Sequence, residues 1–152
     1  MPYLHPERIL EEFSSYAVEA VRPAIPADEA FMRGQVGSMA STMRFLAAEL
    51  AGVDDAVADQ RASLLSALDD AEGAVDDPAV RETLADARRR VSESAGGPRE
   101  VERVLLSAAN EALEAVDALD EPAAREARAP LYRFLDDRLD AQLGLLGRPT
   151  DG

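Results

Sequence analysis

Carboxylates are the most abundant reactive groups in this sequence, and two pairs of them have a spacing that chemistry can use. Glu111 and Glu114 stand one helical turn apart, as do Asp137 and Asp140. Two facing helices could therefore present four carboxylates to a hard cation such as Mg²⁺, which takes oxygen ligands. A second constellation is built from arginine. Arg33 and Arg44 are eleven residues apart, close to three turns, with Gly37, Ala40 and Ser41 between them. On a helix they bracket a strip of small residues that Tyr16 could border, a shallow site for an anionic or acyl ligand. The competing reading of that strip is a helix-packing groove whose arginines pair with nearby acids.

Other chemistry is excluded by what is missing. There is no cysteine, and the one histidine, His5, precedes the first helix and reads as a surface residue. A di-iron site with two Glu-x-x-His motifs cannot be assembled, and no serine sits in a Gly-x-Ser-x-Gly elbow. Gly34 and Gly37 lead into no Lys-Ser/Thr phosphate loop. No cofactor is expected, Mg²⁺ entering only with the carboxylate pairs.

Thirty acidic residues face sixteen basic ones, all arginine, for a net charge of -14. A concentrated basic footprint for nucleic acid is absent, so a nucleic-acid partner is not expected. The acidic, lysine-free composition resembles that of halophilic archaeal proteins, which implies that most acids are surface adaptation. Like charges at Asp54-Asp55, Asp69-Asp70, Asp76-Asp77 and Asp136-Asp137 repel unless screened, and stability is expected to rise with salt. No apolar run approaches the roughly 18 residues that span a bilayer, and no secretion signal precedes Pro6. A cytoplasmic protein without a membrane partner is the expectation.

The elements that must position these groups read as helix throughout, since alanine is abundant and β-branched runs are absent. Proline and acidic caps bound six segments. The first spans Pro6 to Arg22, with Ile9, Leu10, Phe13, Ala17, Ala20 and Val21 inward, and ends at Pro23 and Pro26. The second, the organising helix, opens near Pro26 and closes at Gly52. Its Met32, Val36, Met39, Met43, Leu46 and Leu50 alternate steps of four and three, a core stripe. The third starts at Asp54 or Asp55, carries Val57, Leu64, Leu65, Leu68 and Ala71, and fades through Gly73. Asp77-Pro78 opens the fourth, with Val80, Leu84, Ala87 and Val91, and with Arg88 expected in an ion pair at the edge. Pro98 opens the fifth, with the stripe Val101, Leu105, Ala108, Ala112, Val116 and Leu119, supplemented by Val104, Leu106 and Leu113. Asp120-Glu121-Pro122 opens the sixth, with Leu131, Leu135, Leu139, Leu143 and Leu146, which Pro130 should kink or divide. Short connections favour an up-and-down antiparallel bundle of about six helices, all-α, one domain over residues 1–152 with 1–5 and 147–152 frayed.

The paired acids at Glu111, Glu114, Asp137 and Asp140 resemble the motifs of all-α nucleoside triphosphate pyrophosphohydrolases, departing from them in having Asp at 137 and no lysine. That resemblance implies Mg²⁺-dependent hydrolysis. Phe31, Arg33, Gly37, Ala40, Glu49 and Leu50 resemble a helix of small uncharacterised helical proteins found with aminoglycoside-phosphotransferase-like kinases and acyl-CoA dehydrogenases, which implies an accessory role. The leading expectation is a non-catalytic helical interaction or accessory protein, acting as a homo-oligomer or on a protein partner. A binding module using Arg33, Arg44, Tyr16 and Ser41 is the alternative, and the pyrophosphohydrolase the third.

Overall fold

The structure, a computed structural model, describes residues 5–145, and no strand occurs among them. α1 (Pro6–Tyr16) passes through a π-helical turn (Ala17–Val21) into a short α2 (Arg22–Ala24). α3 (Ala30–Gly73), α4 (Pro78–Glu93), α5 (Pro98–Asp117) and α6 (Glu121–Leu145) follow. The chain is all-α, as its composition implies.

Two of the six expected helices are one. α3 runs for 44 residues through Gly52, the expected stop, and Asp54 and Asp55 lie inside it rather than capping a new helix. Glycine inside a helix costs only about 1 kcal/mol against alanine, and no left-handed residue or proline follows to enforce an end. Gly52 has a packing role instead. A Cβ there would stand 2.8 Å from Leu145 Cδ2, so the missing side chain admits the end of α6. Pro130 does not divide α6 either, because the helix is continuous through it. Pro23 does leave a mark. Its ring crowds the carbonyl four residues back, and just ahead of it the helix widens so that the Arg22 N–H reaches Ala17 O.

The helices form two compact units, residues 5–53 with 143–145 and Asp54–Gln142. In the second, the later part of α3, α4, α5 and α6 close a square of antiparallel neighbours. Arg88 joins Asp69 (2.7 Å) and Glu72 (3.6 Å) across α3 and α4, the ion pair expected of it. Arg138 meets Glu102 at 2.8 Å, and Arg128 meets Asp117, across α5 and α6. Ser63 donates to Asp137 at 3.3 Å and closes the square between α3 and α6.

Its core is largely the one the spacing of α4 and α5 predicts, with Val80, Leu84, Ala87, Val91, Val101, Leu105, Ala108, Ala112 and Val116 all buried, whereas Leu119 lies past the end of α5 and is half-buried. α6 differs. Leucines spaced four apart drift about 40° per step around a helix, so Leu131 is buried but Leu139 is exposed, and Ala124, Ala127 and Phe134 fill the core instead. Leu146 lies outside the described residues. Asp77 caps α4 by accepting from the Ala79 and Val80 N–H groups at 2.9 and 3.0 Å. The turn before α5 needs Gly96, whose φ of 114° is left-handed.

The first unit is a helical hairpin. α1 and its π turn lie along the first part of α3 through small residues, with Ala17, Val36 and Ala40 buried and Val21, Ile25 and Met43 partly so. Ser14 is buried and donates to Ala40 O at 2.8 Å, which fixes the register. The expected inward sets are only half right. Phe13 and Ala20 of the first helix are exposed, and so are Met32, Met39, Leu46 and Leu50 of the organising stripe.

Candidate functional site

The four carboxylates proposed for a metal do not converge, which corrects that expectation. Glu111 belongs to the seam between α4 and α5, where Arg90 donates to both its oxygens at 3.1 and 2.5 Å and Ser107 donates at 3.1 Å. The Arg90 hydrogen bonds hold the Glu111 carboxyl below its usual range, with partial burial opposing and Ser107 assisting. Asp137 belongs to a different seam, where it accepts from Ser63 of α3. Glu114 and Asp140 are exposed. Among the described residues no three of the acids or His5 gather where they could hold a metal ion. The reason is rotational. Pairs one turn apart share a face of their own helix, but which neighbour that face meets depends on how the bundle closes.

The arginine strip is differently arranged. Arg33 and Ser41 are half-buried, Arg44 is exposed and Tyr16 is exposed. Ser41 follows the buried Ala40 by one position, whereas Tyr16 precedes the buried Ala17 by one. Across an antiparallel pair this places Ser41 and Tyr16 on opposite sides of the hairpin. Gly34 and Gly37 have open space where a Cβ would stand.

Arg61 has a role that its place on the inner register of α3 did not disclose. It donates to Val91 O at 3.1 Å, to Ser94 Oγ at 2.6 Å and to Ser94 O. Its guanidinium thereby satisfies carbonyls that the end of α4 would leave orphaned. No local signal in the sequence connects positions thirty residues apart.

The most distinctive surface is apolar. Nine of the eleven large apolar side chains left exposed among the described residues lie in the hairpin: Phe13, Tyr16, Val18, Phe31, Met32, Met39, Phe45, Leu46 and Leu50. Six of them share a face. In α1, Phe13 immediately precedes buried Ser14, and Tyr16 precedes buried Ala17; in α3, Met39 precedes buried Ala40, and Leu46 precedes buried Ala47. One position is a rotation of about 100° in a right-handed helix. Reversing the helix direction and reversing the side on which the neighbour lies cancel, so the same offset in both helices brings both stripes to one side. Met32 and Leu50 extend the α3 stripe at its two ends. These six are between 44% and 62% exposed.

Comparison with protein-family models, with curated proteins and with solved structures found no match. Among the described residues no helix is long and apolar enough to cross a membrane.

Proposed function

We propose that this chain is a non-catalytic α-helical interaction protein of a salt-rich cytoplasm, in which the Asp54–Gln142 bundle is the scaffold and the apolar side of the α1/α3 hairpin is the working surface. One observation carries the reading: a stripe with the four-three spacing of a helix seam stands half open, Val36 and Met43 covered and Met32, Met39, Leu46 and Leu50 not. Contiguous apolar surface rimmed by polar groups marks protein contact sites. The acidic composition supports the salt-rich setting.

The test is the stability of variants at high dilution. Met39→Glu and Leu46→Glu should keep full helicity and lose under about 1 kcal/mol, as open surface positions do. A loss of about 3 kcal/mol or more that does not change with concentration, the scale of core positions, would mean that the chain itself covers the face and would overturn the reading.

A further inference from the structure

Resting on that reading of the face, we infer that its occupant is a second copy of this chain, docked so that α1 of each copy lies over α3 of the other. Area is the first argument. Large side chains have about 150–250 Å² each, so six about half exposed offer roughly 500–600 Å² of apolar surface. The flanking Glu12, Gln35 and Thr42 are exposed polar groups on the outer edges of the same side. Together they approach the ~800 Å² per partner of a standard interface, at about the two-thirds apolar fraction of homodimers.

Charge is the second argument, and it selects both the partner and the arrangement. Residues 54–142 hold twenty-two acids against eleven arginines, whereas residues 1–53 hold seven against four. Copies that meet through their bundles would repel, while copies that meet through their hairpins largely would not. A basic partner would be drawn to the bundle rather than to a face with no acid at its centre. Within the hairpin, residues 6–24 carry four glutamates and two arginines, and residues 30–53 carry Arg33, Arg44 and one acid, Glu49. A two-fold axis along the helices sets each net-negative α1 over the partner's net-positive α3 and makes every neighbouring pair antiparallel. The perpendicular two-fold sets like on like.

Height along the hairpin fixes the contacts. Because Ser14 is level with Ala40, the axis along the helices brings Phe13 and Tyr16 of one copy astride Met39 of the other, a pairing that suits a thioether between aromatic rings. The result is a four-helix arrangement that closes the half-open seam twice by symmetry.

Sedimentation of the full chain above about 1 M potassium chloride, where screening falls to about 3 Å, should show a dimer that dissociates on dilution. Met39→Glu should weaken it by about thirtyfold or more, the effect of a central contact, without loss of helicity. The chain has no cysteine, so single-cysteine variants report cleanly. Oxidation of a mixture of Tyr16→Cys and Met39→Cys should give the mixed disulfide in about tenfold excess over either same-variant product, since bonding needs Cα atoms within about 7 Å. A wild-type monomer at all concentrations, a dimer indifferent to Met39→Glu, or predominance of the 16–16 or 39–39 product would each overturn the inference. A monomer whose Met39→Glu variant is only mildly destabilised overturns the second copy alone; a core-scale loss overturns the reading of the face as well.

Discussion

The hairpin and the bundle are made of similar helices, yet one closes its apolar stripes and the other leaves them half open. In Asp54–Gln142 each helix has two neighbours, and buried stripes such as Leu64, Leu68, Leu105 and Phe134 are sealed inside the square. In residues 5–53, α1 and α3 meet through Ser14, Ala17, Val36 and Ala40 while the larger side chains stand beside the contact, and the end of α6 reaches α3 at Gly52. Small residues bring two helices close but bury little apolar area. If the proposed reading holds, the bundle should be stable by itself and the hairpin should gain stability from association.

The largest test of this contrast is truncation. Leu105→Ala, at a fully buried site, should cost about 3–5 kcal/mol, whereas Met39→Ala should cost under about 1 kcal/mol in dilute solution. Urea unfolding of the two variants checks it, and equal costs would erase the distinction.

Salt comes next. The bundle carries the excess of acids, so melting temperature should rise by roughly 5–8 °C between about 0.1 and 1 M potassium chloride, equivalent to about 2 kcal/mol. A flat or falling profile in a thermal scan would show that the acidic surface is not an adaptation to salt.

Glycine substitutions sharpen the contrast at smaller scale and opposite sign. Gly96→Ala in the bundle should lose about 1–2 kcal/mol, because its φ of 114° suits no side chain and Glu100 occupies the space. Gly34→Ala and Gly37→Ala in the hairpin should each gain up to about 1 kcal/mol, since open space surrounds both, and neither should alter association. A loss at Gly34 or Gly37, read by thermal melting, would reveal a neighbour on that side.

The smallest effect is a pH dependence in the bundle. Glu111 has its folded pKa lowered by Arg90, so its contribution is present above the ordinary glutamate range and is lost as pH falls through the lowered value. Glu111→Gln should therefore be slightly less stable than wild type at neutral pH and indistinguishable from it in acid. A gap that persists in acid would show that the carboxylate charge is not what matters there.

What the sequence determined by itself was local. Asp77-Pro78, Pro98 and the alternating stripes of α4 and α5 specify caps, starts and buried faces, because each depends on groups within a few residues of one another. Arg88 on the edge of its apolar face was legible for the same reason. Tertiary structure alone decided the rest. That Gly52 sits inside a helix and packs against Leu145 was set by the fold, whether Glu111 and Asp137 share a point depended on which neighbour each helix face meets, and Arg61 found its partners at Val91 and Ser94. The periodicity of Met32, Val36, Met39, Met43, Leu46 and Leu50 announced a surface to be covered, but a stripe carries no record of its cover. One side of it lies against α1 in the same chain, and among the described residues the other stays exposed, because α1 is a single helix and can cover only one flank.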